Sequence, residues 1–264
     1  MFARRALKPY LAEFLGTALL IVLGDGVVAQ CLLSDYQYGT WLSINIAWAS
    51  AVCLSGYLSD PGPTINPAVT ICTALVRPSA GQWKTIPGKL AAQFLGGFVG
   101  AAIVYVNYRS AIKAWDPEYT IPWGSILSPS GHHSAGIFST YPSAFFESNW
   151  EAVFAEVLGS AVLMFGCLSI SDPGNAQRFP APQLSMFLLL LSIGAALGWQ
   201  TGYVCSICYF VLVEANDIRL LILLEILVPD CSLLSSMAVK SLRRLATISW
   251  FPSSLQLLAA LLAR

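Results

Sequence analysis

Pro61-Gly62-Pro63-Thr64-Ile65-Asn66-Pro67-Ala68-Val69-Thr70-Ile71-Cys72-Thr73-Ala74-Leu75-Val76 is the stretch that decides the fold. Proline and glycine break the chain before it. Asn66 then supplies a strong helix N-cap, and Pro67 suits the first helical position. The apolar run that follows is about ten residues, or ~15 Å at the helical rise. That is half of a hydrocarbon core of ~30 Å. A short apolar helix reached through irregular backbone is a re-entrant segment, because such backbone survives at membrane depth only where it is buried or lines water. The helix N-terminus carries roughly half a positive charge, which repels protons and cations, and the Asn66 amide can donate to a passing hydroxyl or water. On its own, Asn-Pro-Ala is also an ordinary N-cap of a surface helix. Its surroundings separate the two readings.

The chain around it is membrane-like. Of 264 residues, 56% are hydrophobic and 11% charged, and the mean hydropathy is +0.66. A soluble domain cannot bury that much apolar surface. A net charge of +0 offers no basic patch for nucleic acid. Five long apolar segments, about 10–31, 40–58, 88–108, 149–170 and 183–203, each approach the ~20 residues needed to cross a bilayer. Arg4, Arg5 and Lys8 precede the first, Arg77, Lys84 and Lys89 lie between the second and third, and Arg178 lies between the fourth and fifth. These basic residues place the N-terminus in the cytoplasm, with no cleavable signal peptide evident. The loop before the fourth span carries Pro122, Pro129, Gly131 and His132-His133. No acidic or Cys partner sits at ligand spacing from the histidines, so a solvated loop is expected rather than a metal site. The 7 cysteines read as small core residues, and Cys205 and Cys208 form a lone C-x-x-C without the second pair of a metal site.

An internal repeat links the halves. Residues 12–18 read Ala-Glu-Phe-Leu-Gly-Thr-Ala and residues 155–161 read Ala-Glu-Val-Leu-Gly-Ser-Ala. Each copy puts a glutamate, Glu13 or Glu156, just inside a span. An intramembrane carboxylate is costly, so it marks function or holds the fold by accepting hydrogen bonds from a neighbouring loop. With the first span starting inside and the fourth outside, the halves are inverted relative to each other, as in many transport proteins with a midplane permeation site.

The box Asn66-Pro67-Ala68, the Glu13 and Glu156 spans, residues 92–97 (Ala-Gln-Phe-Leu-Gly-Gly) and residues 198–203 (Gly-Trp-Gln-Thr-Gly-Tyr) together resemble the fungal aquaglyceroporins of the aquaporin family, over about 10–203. The resemblance implies an all-α membrane protein, an inverted-repeat helical bundle that assembles as a homotetramer with one pore per subunit. It implies glycerol and water as permeants, membrane lipid as surroundings, no cofactor, and the plasma membrane as location. It also assigns an outer constriction, for which Trp48, Gly194 and Tyr203 match three of the family's positions, alongside the pore-lining Asn66, Pro67 and Ala68. Glycine at 194 suits a wide, aromatic constriction fit for glycerol. Residues 59–65 depart from the commoner approach to the box and set Trp48 nearer to it.

The resemblance stops after Tyr203. The family continues Ala-Ile-Asn-Pro-Ala-Arg-Asp, whereas this chain reads Val204-Cys205-Ser206-Ile207-Cys208, and no second box follows. Codon reasoning accounts for this. Val204-Cys205 can be written GTATGT, a splice donor. Residues 215–217 can contain CTAAC, a branch point, and Arg219 can be AGG, which closes an intron. Removing the stretch to that AG leaves a frame that reads Ala-Ile-Asn-Pro-Ala-Arg-Asp-Leu-Gly-Pro-Arg-Leu, and residues 251–263 can hide a segment like the family's sixth span. The expectation is therefore a channel domain over 1–203, and an apolar tail over 204–264 that comes from a retained intron plus frameshift. The second half-helix and sixth span are then absent or non-native, and Glu156 lacks the loop partner that its counterpart has. A diverged C-terminal half is the alternative. Lys240, Arg243 and Arg244 are either a lipid-binding patch or an accident of the shifted frame. Three functions compete: a passive glycerol and water channel, a non-conducting or dominant-negative subunit, and a secondary transporter. The last is disfavoured by the few charges in the spans. No catalytic cluster or phosphate loop suggests an enzyme.

Overall fold

The computed structural model describes residues 2–59, 62–79, 81–117, 134–138, 145–146, 149–178 and 181–201. Among these, all regular structure is helical: α1 (Phe2–Leu33), α2 (Trp41–Gly56), α3 (Pro67–Val76), α4 (Gln82–Trp115), a 3-10 turn (Ser134–Ile137), α5 (Asn149–Ile170), α6 (Pro173–Arg178) and α7 (Pro182–Thr201). Tyr203, His132-His133, Cys205, Cys208, the basic cluster and the whole 204–264 tail lie outside the described residues.

The apolar segments become α1, α2, α4, α5 and α7, but two of them start earlier than the sequence suggests. The expected starts at 10 and 88 both follow a proline, and the helices run through Pro9 and Pro87. A proline removes one hydrogen bond and crowds the preceding turn. Both prolines sit near helix ends that are rich in polar residues, where water can satisfy the freed carbonyls. The apolar window therefore ends before the helix does.

Helices α1 and α4 form the body of the bundle. They approach closely because α4 offers no side chain at the crossing. A Cβ at Gly96 would overlap the Phe14 carbonyl oxygen, and one at Gly100 would lie 2.8 Å from Ala18 O. Small residues one turn apart let backbones touch, which is how helices pack where lipid is as apolar as leucine. Beyond the crossing, Ile21, Ala29, Ala101, Val104, Tyr105 and Ile112 make a buried cluster that also takes in Ile137 of the 3-10 turn and Phe138 just after it. Buried Asp116 pins that turn by accepting from Ser134 N at 2.9 Å. Helix α7 packs between α2 and α5.

The outside of the bundle is apolar. Leu15, Leu95, Val106, Phe154, Phe165 and Leu188 are all more than half exposed. The stretches Leu7–Leu33, Gln82–Trp115 and Pro182–Trp199 are long and apolar enough to cross a membrane. The fold is a membrane-embedded helical bundle.

The α1–α4 crossing makes a direct prediction. Gly96→Ala in detergent-purified protein lowers the thermal unfolding midpoint, at a cost of about 1–3 kcal/mol for overpacking. Gly26→Ala, with nothing within 4 Å of the added carbon, leaves the midpoint unchanged or raises it, since alanine favours helix by about 1 kcal/mol.

Candidate functional site

The half-helix α3 forms over Pro67–Val76, with Asn66 as its N-cap. Asn66 has extended backbone, φ −146° and ψ 123°. Its Oδ1 accepts from Ala68 N at 2.8 Å and Val69 N at 3.4 Å. Two of the helix's orphan donors are thus satisfied by the side chain, and Pro67, fully buried, has no donor to satisfy. The amide oxygen is committed to the cap, so the opposite end of the Asn66 side chain is the hydrogen-bond donor.

The approach to Asn66 is strained. Ile65 has φ +46°, a left-handed conformation that a β-branched residue rarely adopts, and such outliers cost about 1–3 kcal/mol. The strain persists because Glu13 of α1 grips the loop from below. Glu13 Oε1 accepts from Thr64 N at 3.0 Å and Thr64 Oγ1 at 2.8 Å, and its Oε2 accepts from Ile65 N at 2.8 Å. Two residues of α4 complete the shell. Gln93 Nε2 donates to Glu13 Oε2 at 2.9 Å and also to Thr70 Oγ1 at 2.9 Å. Lys89 Nζ lies 3.2 Å from Oε1. The carboxylate is completely buried, so its charge is tolerated only because each oxygen is saturated and a cation stands beside it. Ile65 itself packs with Leu20 and Ala51. It fits because Gly16 has no side chain: a Cβ there would lie 2.7 Å from Ile65 Cγ2.

Beyond Asn66 a cavity of about 450 Å³ opens between α1, α2, α3, α5 and α7. Asn66 and Trp48 both line it, together with Val69, Arg77, Cys167 and Gln183. Its wall is mainly apolar, with a few polar groups converging on it. Trp48 lies flat against α1, where a Cβ at Gly24 would be 2.5 Å from the Trp48 Cζ2. Its buried Nε1 has no hydrogen-bond partner among the described residues. The nitrogen is buried, so the indole lines the cavity without presenting its N–H to it.

The other sequence-derived positions fall differently. Ala68 follows Pro67 in the first turn of α3 and is partly buried. Gly194 does not line the cavity. Its missing side chain is taken up by α2, because a Cβ there would collide with Asn45 Oδ1. In this structure Gly194 admits a neighbouring helix. Glu156 of α5 is 6% exposed and does not stand free. The loop expected to mirror residues 64–65 would fall after Thr201, outside the described residues. Four further polar residues were not singled out from the sequence as site residues. Lys89 and Arg77 read there only as charges that orient the chain, and Gln93 only as part of a motif. Asp25, 1% exposed within α1, is a further buried carboxylate, and a carboxylate in a span is a signal in itself. No group of three or more metal-ligating side chains occurs among the described residues.

A capped re-entrant half-helix, its loop tied to a buried carboxylate on the first span, and a cavity at its N-terminus define the class: an integral membrane protein built like a pore. Comparison with known proteins narrows this. Residues 2–207 match the Major intrinsic protein family, and the chain belongs to that family. It is similar to Aquaglyceroporin-9 of Botryotinia fuckeliana, at 36% identity over 77% of this chain and 44% of that protein. It is also similar to the probable aquaglyceroporin-2 of Gibberella zeae, at 36% over 74% of this chain and 56% of that one. An aquaporin of Laccaria bicolor is 36% identical over 75% of this chain and 72% of its own length. The chain thus spans about half the length of the first two relatives. Among solved structures, the aquaglyceroporin from Plasmodium falciparum shares the fold, with a TM-score of 0.62 at 22% identity, covering 88% of this chain and 93% of that one.

The Glu13 shell is testable by a double-mutant cycle on thermal stability in detergent. Glu13→Gln leaves loop donors facing an amide and Lys89, a quarter exposed, without its partner, and is expected to cost about 1–3 kcal/mol. Adding Lys89→Met to it recovers part of that loss. Additive effects of the two changes would mean that the pair does not act as a unit.

Proposed function

We propose that the chain is a subunit of a passive transmembrane channel for glycerol and water. The observation that carries this reading is the Asn66-capped half-helix opening onto an apolar-walled cavity. Such a site passes small neutral hydroxyl compounds. Their hydroxyls meet the Asn66 amide, their carbon face meets the apolar wall that includes the Trp48 ring, and the positive helix end repels protons and cations. The names of the fungal relatives, aquaglyceroporins among them, support the choice of glycerol. In this reading Asn66 and Trp48 border the path, Pro67 and Ala68 hold Asn66 at the helix start, Gly194 admits α2 beside it, Tyr203 contributes to the outer constriction, and Glu13 and Glu156 hold the two halves. The N-terminus is cytoplasmic, on the strength of the basic residues before α1 and around α3. The membrane is the plasma membrane, and four subunits assemble with one pore each.

The domain division follows the sequence: a channel unit over 1–203 and an out-of-frame tail over 204–264. The family match ending at residue 207 supports it. That division also favours a second reading, a non-conducting subunit. No second Asn-Pro-Ala box is present in the sequence, so in this reading a second pore amide and the arginine that would follow it are not encoded. Half of the proton barrier is missing with them.

Stopped-flow swelling of vesicles separates the readings. The chain as it stands swells slowly in glycerol. A version with the intron-like stretch removed, from Val204 to the second base of Arg219, swells fast, and Asn66→Ala then slows it. Equal rates for the two versions at equal membrane abundance would mean that the tail is a working half of the pore.

A further inference from the structure

Glu13 holds only one end of the half-helix. The other end stops at Val76, where Arg77 is the C-cap and its N–H closes the last turn onto Thr73 O at 2.9 Å. The Arg77 side chain then leaves α3 and crosses to α5. Its Nη1 donates to Ser171 O at 2.9 Å and its Nη2 to Leu168 O at 2.7 Å. These carbonyls belong to the end of a helix, where acceptors lack intrahelical partners and the dipole is negative. A guanidinium suits the place, since its planar fork reaches both oxygens at once and its charge is permanent. Neighbouring acceptors are occupied from within α5 and α6: Cys167 O takes Ser171 N and Oγ, and Ser169 O takes Asn175 Nδ2. Asp172 is 3.8 Å from Nη2 and half exposed, so that ion pair contributes little. Arg77, Thr73, Leu168 and Ser171 all border the cavity.

We propose that Arg77 is a positioning residue of the channel, a clasp that fixes the C-terminal end of the half-helix to α5 and so sets the width of the cavity mouth between them. As a statement about transport it rests on the reading of the cavity as pore, but the clasp can be tested without transport. Two cysteines already report on it. Cys72 of α3 and Cys167 of α5 stand on the two elements that the clasp joins, and Cys167 borders the cavity. Cys167 is buried, as is Cys31 on α1.

The experiment is the rate of N-ethylmaleimide labelling at each cysteine of the full chain in lipid nanodiscs, read by peptide mass spectrometry. Arg77→Gln raises labelling of Cys167 about tenfold, which corresponds to ~1.4 kcal/mol less local opening free energy, and leaves Cys31 unchanged. Arg77→Lys, which keeps the charge and can reach one carbonyl, gives a smaller rise at the same cysteine. Asp172→Asn matches the wild type. Unchanged Cys167 labelling in Arg77→Gln would overturn the proposal. So would a rise at Cys31 by the same factor, because the change would then be global. If labelling shifts as stated while the version without the intron-like stretch also fails to swell in glycerol, the clasp stands and the transport reading falls.

Discussion

The carboxylate of Glu13 must be satisfied, and so must the backbone of residues 64 and 65; each is the other's solution. Inside a bilayer no water is available to either, and an unsatisfied group there costs several kcal/mol. Two backbone N–H groups and one hydroxyl of the loop point at one carboxylate, which Lys89 and Gln93 close from the far side. This contact keeps Ile65 in its left-handed conformation. It therefore fixes where Asn66 sits and which way the half-helix points. The cavity exists because the half-helix starts there and not at a membrane surface.

The contact depends in turn on packing. Lys89 and Gln93 are four residues apart on α4 and so share a face. They reach Glu13 because Gly96 and Gly100 let α4 lie directly on the α1 backbone. Gly16 clears room for Ile65 in the same way. Thr64 and Thr70 bridge the loop and the half-helix through their hydroxyls at 2.6 Å, so the first turn of α3 joins the network that anchors its approach. Glycines in the spans are placed where backbone meets backbone or loop, and the polar side chains are placed where those approaches leave donors facing inward.

The parts of this architecture that are local in sequence were legible there. Asn66 and Pro67 mark a helix start by their own chemistry, and α3 spans Pro67–Val76 as that chemistry implies. The five apolar segments announce themselves by composition and each becomes a helix, and the Glu13 motif stands out as a charge within one of them. The parts that depend on distant residues were not legible. Arg77 meets α5 carbonyls 91 and 94 residues away, and Lys89 meets a carboxylate on another helix. A lysine or arginine near a span end is indistinguishable in sequence from one that merely faces the cytoplasm. Gly194 shows the opposite problem: an absent side chain leaves room, but the sequence does not say for what, and here Asn45 takes it. Helices α1 and α4 begin before the apolar segments at about 10 and 88 because the polar turns ahead of Pro9 and Pro87 carry no apolar signal.

The central claim is that residues 64 and 65 are fixed at their unusual geometry by Glu13 and not by the loop's own preferences. Hydrogen exchange of the Thr64 and Ile65 amides, measured on the protein in lipid nanodiscs, tests it most directly. The account predicts that both amides exchange as slowly as those in the middle of α4, and that Glu13→Ala accelerates these two while the α4 amides remain slow. Fast, loop-like exchange at Thr64 and Ile65 in the unaltered chain, or exchange indifferent to Glu13, would contradict it.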